Sequence, residues 1–353
     1  MRCVFDNATV LYGEGFVAVQ GYVVIEDGVI NEVGTGGYSG RGADIVDAGG
    51  GIIAPCFTNS HVHLGDSAGA DLGAYLSIGE RVAKSGVKYE AHNHPDAVDA
   101  IAASLDLMRQ GGTTAFCDFR EGGVEGIGLL KSVQNMPGRI LGRPLDDEDI
   151  FNYCDGLGIS TIKEYSGEKL EKMLENRGGK LVAIHAGEAR DDVLDAMKID
   201  PDFVVHLTNA GPQSLREVFE RKIPIVLCPR ANASFGVGLP DLKAIFESDC
   251  LIGLGTDNVM ANPPNMLREI EFTWKLYRGL YKDPGFDARM VLRAATVNGR
   301  RILGLPDNTI KEGNQADFIV TKPMEYAVDP VLALVHRIGP SDIKEVVSPP
   351  YPS

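Results

Sequence analysis

The chain is short of positive charge. Its 34 Lys and Arg stand against 49 Asp and Glu, a formal net charge of −15. A nucleic-acid polymer or an anionic membrane needs a basic face, so neither is expected as a partner. No segment approaches the ~18 continuous apolar residues of a membrane span. The opening Met1-Arg2-Cys3-Val4-Phe5-Asp6 puts an aspartate where a secretory leader needs an apolar core. The six cysteines, at 3, 56, 117, 154, 228 and 250, form no C-x-x-C pair, and most sit in apolar runs. Buried free thiols in a reducing compartment follow, which places the chain in the cytoplasm. Low-complexity tracts are absent, as is any repeat of ~20–50 residues beyond an alternation of strand and helix patterns. What remains, 44% hydrophobic and 24% charged with 42 glycines in 353 residues, is the composition of a folded protein with many tight turns.

Residues 1–53 alternate β-like runs (Ala8–Leu11, Val17–Val24, Val29–Val33) with turns such as Glu26-Asp27-Gly28. Beyond Gly51 the pattern changes to β-branched apolar runs separated by helical stretches, the signature of βα units. Eight runs are counted: Ile52–Ser60, Thr113–Phe119, Arg139–Gly142, Gly158–Thr161, Leu181–His185, Phe203–His206, Ile223–Cys228 and Leu251–Gly255. Eight in succession predict an α/β fold with a closed (β/α)8 TIM barrel rather than an open doubly wound sheet. Pro95-Asp96 opens a helix over Ala97–Arg109, and helices are predicted at Met266–Tyr281 and Asp287–Leu303. The tail from Ile310 returns to a turn-rich β pattern. Residues 1–53 with 310–353 are therefore expected to form a small β-sandwich-like domain beside a barrel over 54–309.

In such a barrel the chemistry gathers at the C-terminal ends of the strands, where the βα loops converge. Strand one ends in His61-Val62-His63, strand five in His185-Ala186-Gly187-Glu188, strand six in His206 and strand eight in Thr256-Asp257-Asn258. Histidines at i and i+2 of a strand point the same way, so His61 and His63 can converge on one ion. Imidazole nitrogens with one carboxylate suit Zn²⁺, and a catalytic site keeps a position open for water. A second H-x-H, His92-Asn93-His94, lies in a polar stretch before a Pro-initiated helix and reads as a solvated loop. His336 reads as structural.

With those residues in place, the sequence resembles the amidohydrolase superfamily, in the branch of cytosine, guanine and adenosine-type deaminases and triazine (chloro)hydrolases. The resemblance runs through Asn59-Ser60-His61-Val62-His63, His185-x-x-Glu188, Val205-His206, Cys228-Pro229-Arg230-Ala231-Asn232 and Gly255-Thr256-Asp257-Asn258. It continues into Ala295-Thr296-Val297-Asn298-Gly299 and Gly313-Asn314-Gln315-Ala316-Asp317. It implies that His61, His63, His185 and Asp257 bind one divalent metal per chain, zinc first with iron or manganese as alternatives. It implies further that His206 holds the attacking water, that Glu188 shuttles protons, and that hydroxide generated at the metal attacks the substrate. Asp257, beside metal and water, suits the role of proton acceptor as well. The H-x-E with P-C-x-x-C of the base-flipping zinc deaminases is missing. Gly158-Ile159-Ser160 stands where binuclear relatives carry a carboxylated lysine, so one metal is expected and Lys163 reads as a loop residue.

Three arginines fall at strand ends, Arg120, Arg143 and Arg230. Their forks suit a carboxylate or phosphate, which predicts an anionic group on a small heterocyclic substrate. Pairing with Glu121, Asp118 or other loop carboxylates is the competing account of each. Asn232 and Asn258 complete the candidate substrate contacts. The segment Leu64 to Thr113 is shorter than in larger relatives that deaminate nucleosides. Deamination of an amino-substituted N-heterocycle is the first expectation. Hydrolysis of a cyclic amide or amidine, as in imidazolonepropionase-like members, is the rival. A non-catalytic scaffold is disfavoured because every expected ligand is present. Barrels of the family it resembles often pair into homodimers, and no stretch of this sequence identifies an interface.

Overall fold

A computed structural model describes residues 2–83, 85–145 and 149–351. In chain order its strands are β1 (Arg2–Tyr12), β2 (Val17–Glu26), β3 (Val29–Thr35), β4 (Asp44–Asp47), β5 (Ile52–Pro55), β6 (Phe57–His63), β7 (Thr113–Arg120), β8 (Gly138–Gly142), β9 (Gly156–Ile159), β10 (Leu181–Ala186), β11 (Phe203–His206), β12 (Ile225–Leu227), β13 (Ile252–Leu254), β14 (Asp257–Asn258), β15 (Phe318–Thr321) and β16 (Ile343–Val347). Two compact units emerge, Met1–Thr58 with Met108–Ala115 and Met266–Ser353, and Asn59–Leu107 with Phe116–Asn265.

One sheet runs β16-β15-β5-β1-β2-β3, with β4 on the side of β1, and so joins both ends of the chain. β1 is longer than the sequence pattern suggests because a bulge between Phe5 and Ala8, with Asn7 at φ 57°, lets it continue past the irregularity. Phe5, Val10, Val23, Ile25, Ile53, Phe318 and Val320 supply its buried face. The run expected as barrel strand one, Ile52–Ser60, is in fact two strands. Ile52 and Ile53 pair with β1, and Ile53 to Pro55 with β15, whereas β6 begins at Phe57. Pro55 has no N–H to continue a ladder, and Cys56 N donates to Asp317 O instead. The helix expected over Asp287–Leu303 is likewise two, Ala288–Ala295 and Val297–Ile302. The break is at Thr296, whose φ of −127° and ψ of −99° leave the helical region while its hydroxyl donates to Leu292 O.

The second sheet is parallel, in the order β13-β12-β11-β10-β9-β8-β7-β6-β14. β13 and β14 are two halves of one strand. The first pairs with β12 and the second with β6, so the run Ile252–Asn258 joins the two edges and closes eight strand positions. The crossing is tight: a Cβ at Gly255 would stand 2.6 Å from His61 O. Glycine is required there by space, and the closure brings Asp257 opposite Val62, between His61 and His63 of β6.

Candidate active site

Alternation along β6 sends His61 and His63 inward together, and Phe119 of β7 meets them. Its ring stands edge-on to His61 at 4.5 Å between centroids and 4.9 Å from His185. Nε2 of His185 is 3.1 Å from Nε2 of His61 and 3.3 Å from Nε2 of His63. Oδ1 of Asp257 closes the ring at 3.3 Å from His61 Nε2 and 3.4 Å from His63 Nε2. Four ligand atoms therefore form a closed loop with edges of 3.1–3.4 Å. Tetrahedral zinc with bonds of ~2.0–2.1 Å has ligand-to-ligand edges of ~3.3–3.4 Å.

His63 Nδ1 faces two acceptors, Phe119 O at 3.2 Å and Glu121 Oε1 at 3.3 Å. It must carry the ring proton, which leaves Nε2 bare for a cation. Burial pushes His61 down to about 3 and His185 well below the usual imidazole range, so those two rings face the centre neutral; burial lowers His63 too, but Glu121 and Asp257 overcome it and raise that ring. Burial opposes ionisation of Asp257, but the His61 hydrogen bond and the charges of His206, His61 and His63 overcome it and hold the carboxyl well below the usual range. Bare nitrogen lone pairs and a carboxylate turned on one point repel one another unless a cation sits among them. The donor set fits a divalent metal.

His206 belongs to the same cluster. One ligand atom each from His61, His185, His206 and Asp257 lie within 4.8 Å of one another. Asn232 Nδ2 donates to His206 Nδ1 at 3.1 Å, which puts the ring proton on Nε2. That nitrogen is buried, has no hydrogen-bond partner among the described residues, and lies 3.8 Å from Glu188 Oε1. Burial raises the Glu188 carboxyl although His206 pulls the other way. Both His206 and Asp257 have left-handed backbones, φ 84° and 59°, a strained conformation that turns a strand-end side chain across the barrel mouth.

The remaining candidates are placed as follows. Arg143 Nη1 reaches Glu121 Oε1 at 3.1 Å, and its Nε donates to Gly158 O. Lys88, which sequence reasoning did not single out, holds the same oxygen at 2.8 Å. Burial alone would raise Glu121, but Lys88, Arg143 and His63 together hold it well below the usual range. Arg120 lies on the face of β7 opposite Phe119, where its Nε donates to Gly126 O. Arg230 Nη1 faces the carbonyls of Pro263 and Asn265. Asn232 is spent on His206, and Asn258 Nδ2 donates to Asp66 Oδ2.

His92 corrects the solvated-loop reading. It ends a short helix, Lys88–His92, and its Nε2 lies 2.6 Å from Oδ1 of the fully buried Asp66. Asp66 thus joins that helix to the residue beside Asp257. The polar run Lys88-Tyr89-Glu90 concealed this, because Lys88 at its start and His92 just beyond it turn inward to carboxylates supplied by distant segments. His94 is half exposed beside Asp96, as the loop reading has it.

The amidohydrolase family's sequence profile matches residues 52–347. An uncharacterised protein of Methanocaldococcus jannaschii is 33% identical over 372 residues, covering 94% of each chain. A 5-methylthioadenosine/S-adenosylhomocysteine deaminase of Thermococcus onnurineus is 26% identical over 395 residues, 98% of this chain and 92% of its own. Among solved structures, an adenosine deaminase from Xanthomonas campestris with bound zinc aligns at a TM-score of 0.81 and 18% identity, covering 98% of this chain and 92% of that one. The chain belongs to the amidohydrolase family, in the branch of deaminases and triazine hydrolases, and is a hydrolase of carbon–nitrogen bonds other than peptide bonds.

Proposed function

We propose that the enzyme releases ammonia from an amino-substituted N-heterocycle, with His61, His63, His185 and Asp257 holding one zinc ion. The observation that carries the reading is the closed ring of four ligand atoms with His206 Nε2 and Glu188 beside it. A divalent cation, when bound, makes water a far stronger acid, from a pKa of 15.7 to about 7. His206 Nε2–H donates to the attacking oxygen and steadies the charge that develops on it. Asp257 takes the proton the water loses. Glu188, whose carboxyl burial raises, gives its proton to the ring nitrogen next to the attacked carbon, which frees that carbon to accept the new C–O bond. Asp257 then passes its proton to the exocyclic amine while the proton of the new hydroxyl returns to Glu188; the C–N bond breaks, ammonia leaves, and the ring nitrogen keeps the proton it received. Arg143, fixed by Glu121 behind His63, borders the substrate on the strand-three side.

The test is ammonia release by metal-quantified protein from aminopurines, aminopyrimidines, pterins and aminotriazines. The native enzyme should turn over at least one class. Glu188→Gln should keep its metal and lose roughly 10²–10⁴ in kcat. A silent panel from protein carrying its metal would overturn deamination in favour of cyclic amide or amidine hydrolysis, and loss of metal in Glu188→Gln would overturn the role given to Glu188.

A further inference from the structure

Most buried cations of this protein have a partner that explains them. Lys88 and Arg143 share Glu121, Arg300 holds Asp317, and Arg120 holds the Gly126 carbonyl. Arg81 differs. It is 2% exposed, yet among the described residues its guanidinium makes no ion pair and no hydrogen bond, and its buried Nε is unpartnered. What it does have is the Phe235 ring, 4.7 Å from its Cζ. Asp71 and Asp66 act on it only through their charge, and Asp66 is already engaged by His92 and Asn258. A guanidinium stays charged when buried, so leaving its donors empty is costly, and one aromatic face offsets only about 0.5–2 kcal/mol.

Its position connects the empty donors to the reaction. Arg81 lies on the helix Ile78–Val82, within the segment that follows β6. Phe235 ends the helix Pro229–Phe235, whose Asn232 holds His206. Asp66 holds Asn258, next to Asp257. Two neighbours of the guanidinium thus lie on elements that also carry groups of the centre, Phe235 through the helix of Asn232 and Asp66 through Asn258.

We propose that Arg81 anchors the substrate: its fork takes an oxyanion group, a carboxylate or a phosphate, carried at the end remote from the hydrolysed C–N bond. This rests on the deaminase reading for the identity of the substrate, but not for the anion itself. An anion there completes the donors of Arg81, and the stacked Phe235 keeps the fork planar and oriented for two-point recognition.

The test compares the metal-loaded native enzyme with Arg81→Met and Arg81→Lys on matched amino-heterocycles bearing a carboxylate, a phosphate or a neutral hydroxymethyl group. For the anionic member Arg81→Met should raise KM roughly 10- to 100-fold, the loss of one charged hydrogen-bonding partner, while kcat and metal content hold. The neutral member should change by less than about 3-fold, and Arg81→Lys should recover part of the loss. Whether the carboxylate or the phosphate shows the larger effect identifies the group. Equal losses on charged and neutral substrates, or no loss on either, would overturn the proposal.

Binding is measured separately by titrating native protein and Arg81→Met with inorganic phosphate and with malonate. Binding by the native protein alone, without turnover of any heterocycle, would keep the anchor and sink the deaminase reading. Absence of both binding and anion-selective turnover would sink the anchor. Thermal unfolding separates a structural role: Arg81→Met should hold or raise Tm, because it removes a buried unpaired charge, whereas a clear fall in Tm with equal losses on all substrates would make Arg81 structural.

Discussion

Asp118 is a buried carboxyl whose Oδ1 accepts the Leu64 amide and whose Oδ2 has no hydrogen-bond partner among the described residues. Burial pushes it up to about 6, against the pull of Arg120 and that amide. Between about pH 4 and pH 6 the folded protein therefore holds a proton that the unfolded chain has released, and stability from this group falls as pH rises through that window. Asp118→Asn removes the titration. Against native protein, the variant's unfolding free energy should gain by up to about 3 kcal/mol from pH 4 to pH 6.5, read as a difference in slope by urea titration. Parallel curves would show that Asp118 is ionised throughout. At this scale the buried cluster of histidines with Asp257 was legible in the sequence, because a polar residue at the end of an apolar strand run has few reasons to be there. His61, His63, His185, His206 and Asp257 all carry that signature. Lys88, Asp66 and Arg81 carry none, since each lies in an ordinary polar stretch and gains its meaning only from groups far along the chain.

The helix Lys88–His92 shows what a short element does in this segment. It is too short to hold itself by backbone bonds alone, and its two ends are fixed by Lys88 on Glu121 and His92 on Asp66. His92→Ala leaves a buried carboxylate with one donor fewer. It should cost about 1–3 kcal/mol in denaturant unfolding while metal content stays at the native level. A neutral effect would return His92 to the solvated loop that its sequence context suggested. The parallel strands were legible because both of their faces are buried and they read as near-continuous apolar runs. The division at Cys56 was not, since a strand handed from one sheet to another keeps the same apolar pattern on both sides of the transfer. The motif ending in Asp317 has a structural account: its carboxylate accepts from Thr114 Oγ1 at 2.8 Å and from Arg300. Arg300 belongs to the second of the two helices that the pattern had joined.

Across the whole molecule, the metal couples chemistry to stability. At the metal site proposed above, ligand atoms brought together from three strands, β6, β10 and β14, carry unfavourable mutual contacts until a cation joins them, so binding free energy becomes folding free energy. Stripping the protein with a chelator should lower Tm, and restoring one equivalent of metal should recover it, with about 2.7 kcal/mol at stake when free metal stands at 100 times its Kd. An unchanged melt would mean the ring of ligands is held without the ion. The sheet that gathers both ends of the chain has a consequence in time. Ile53 of β5 finds its neighbour at Val320 of β15, 320 − 53 = 267 residues later. At ~5–20 residues per second a ribosome needs roughly 13–50 s to make that stretch. Throughout that interval β5 offers an open edge with Ile52 and Ile53 on it. The growing chain is then most exposed to wrong pairing while the barrel is being made, and the arrival of β15 and β16 ends the hazard.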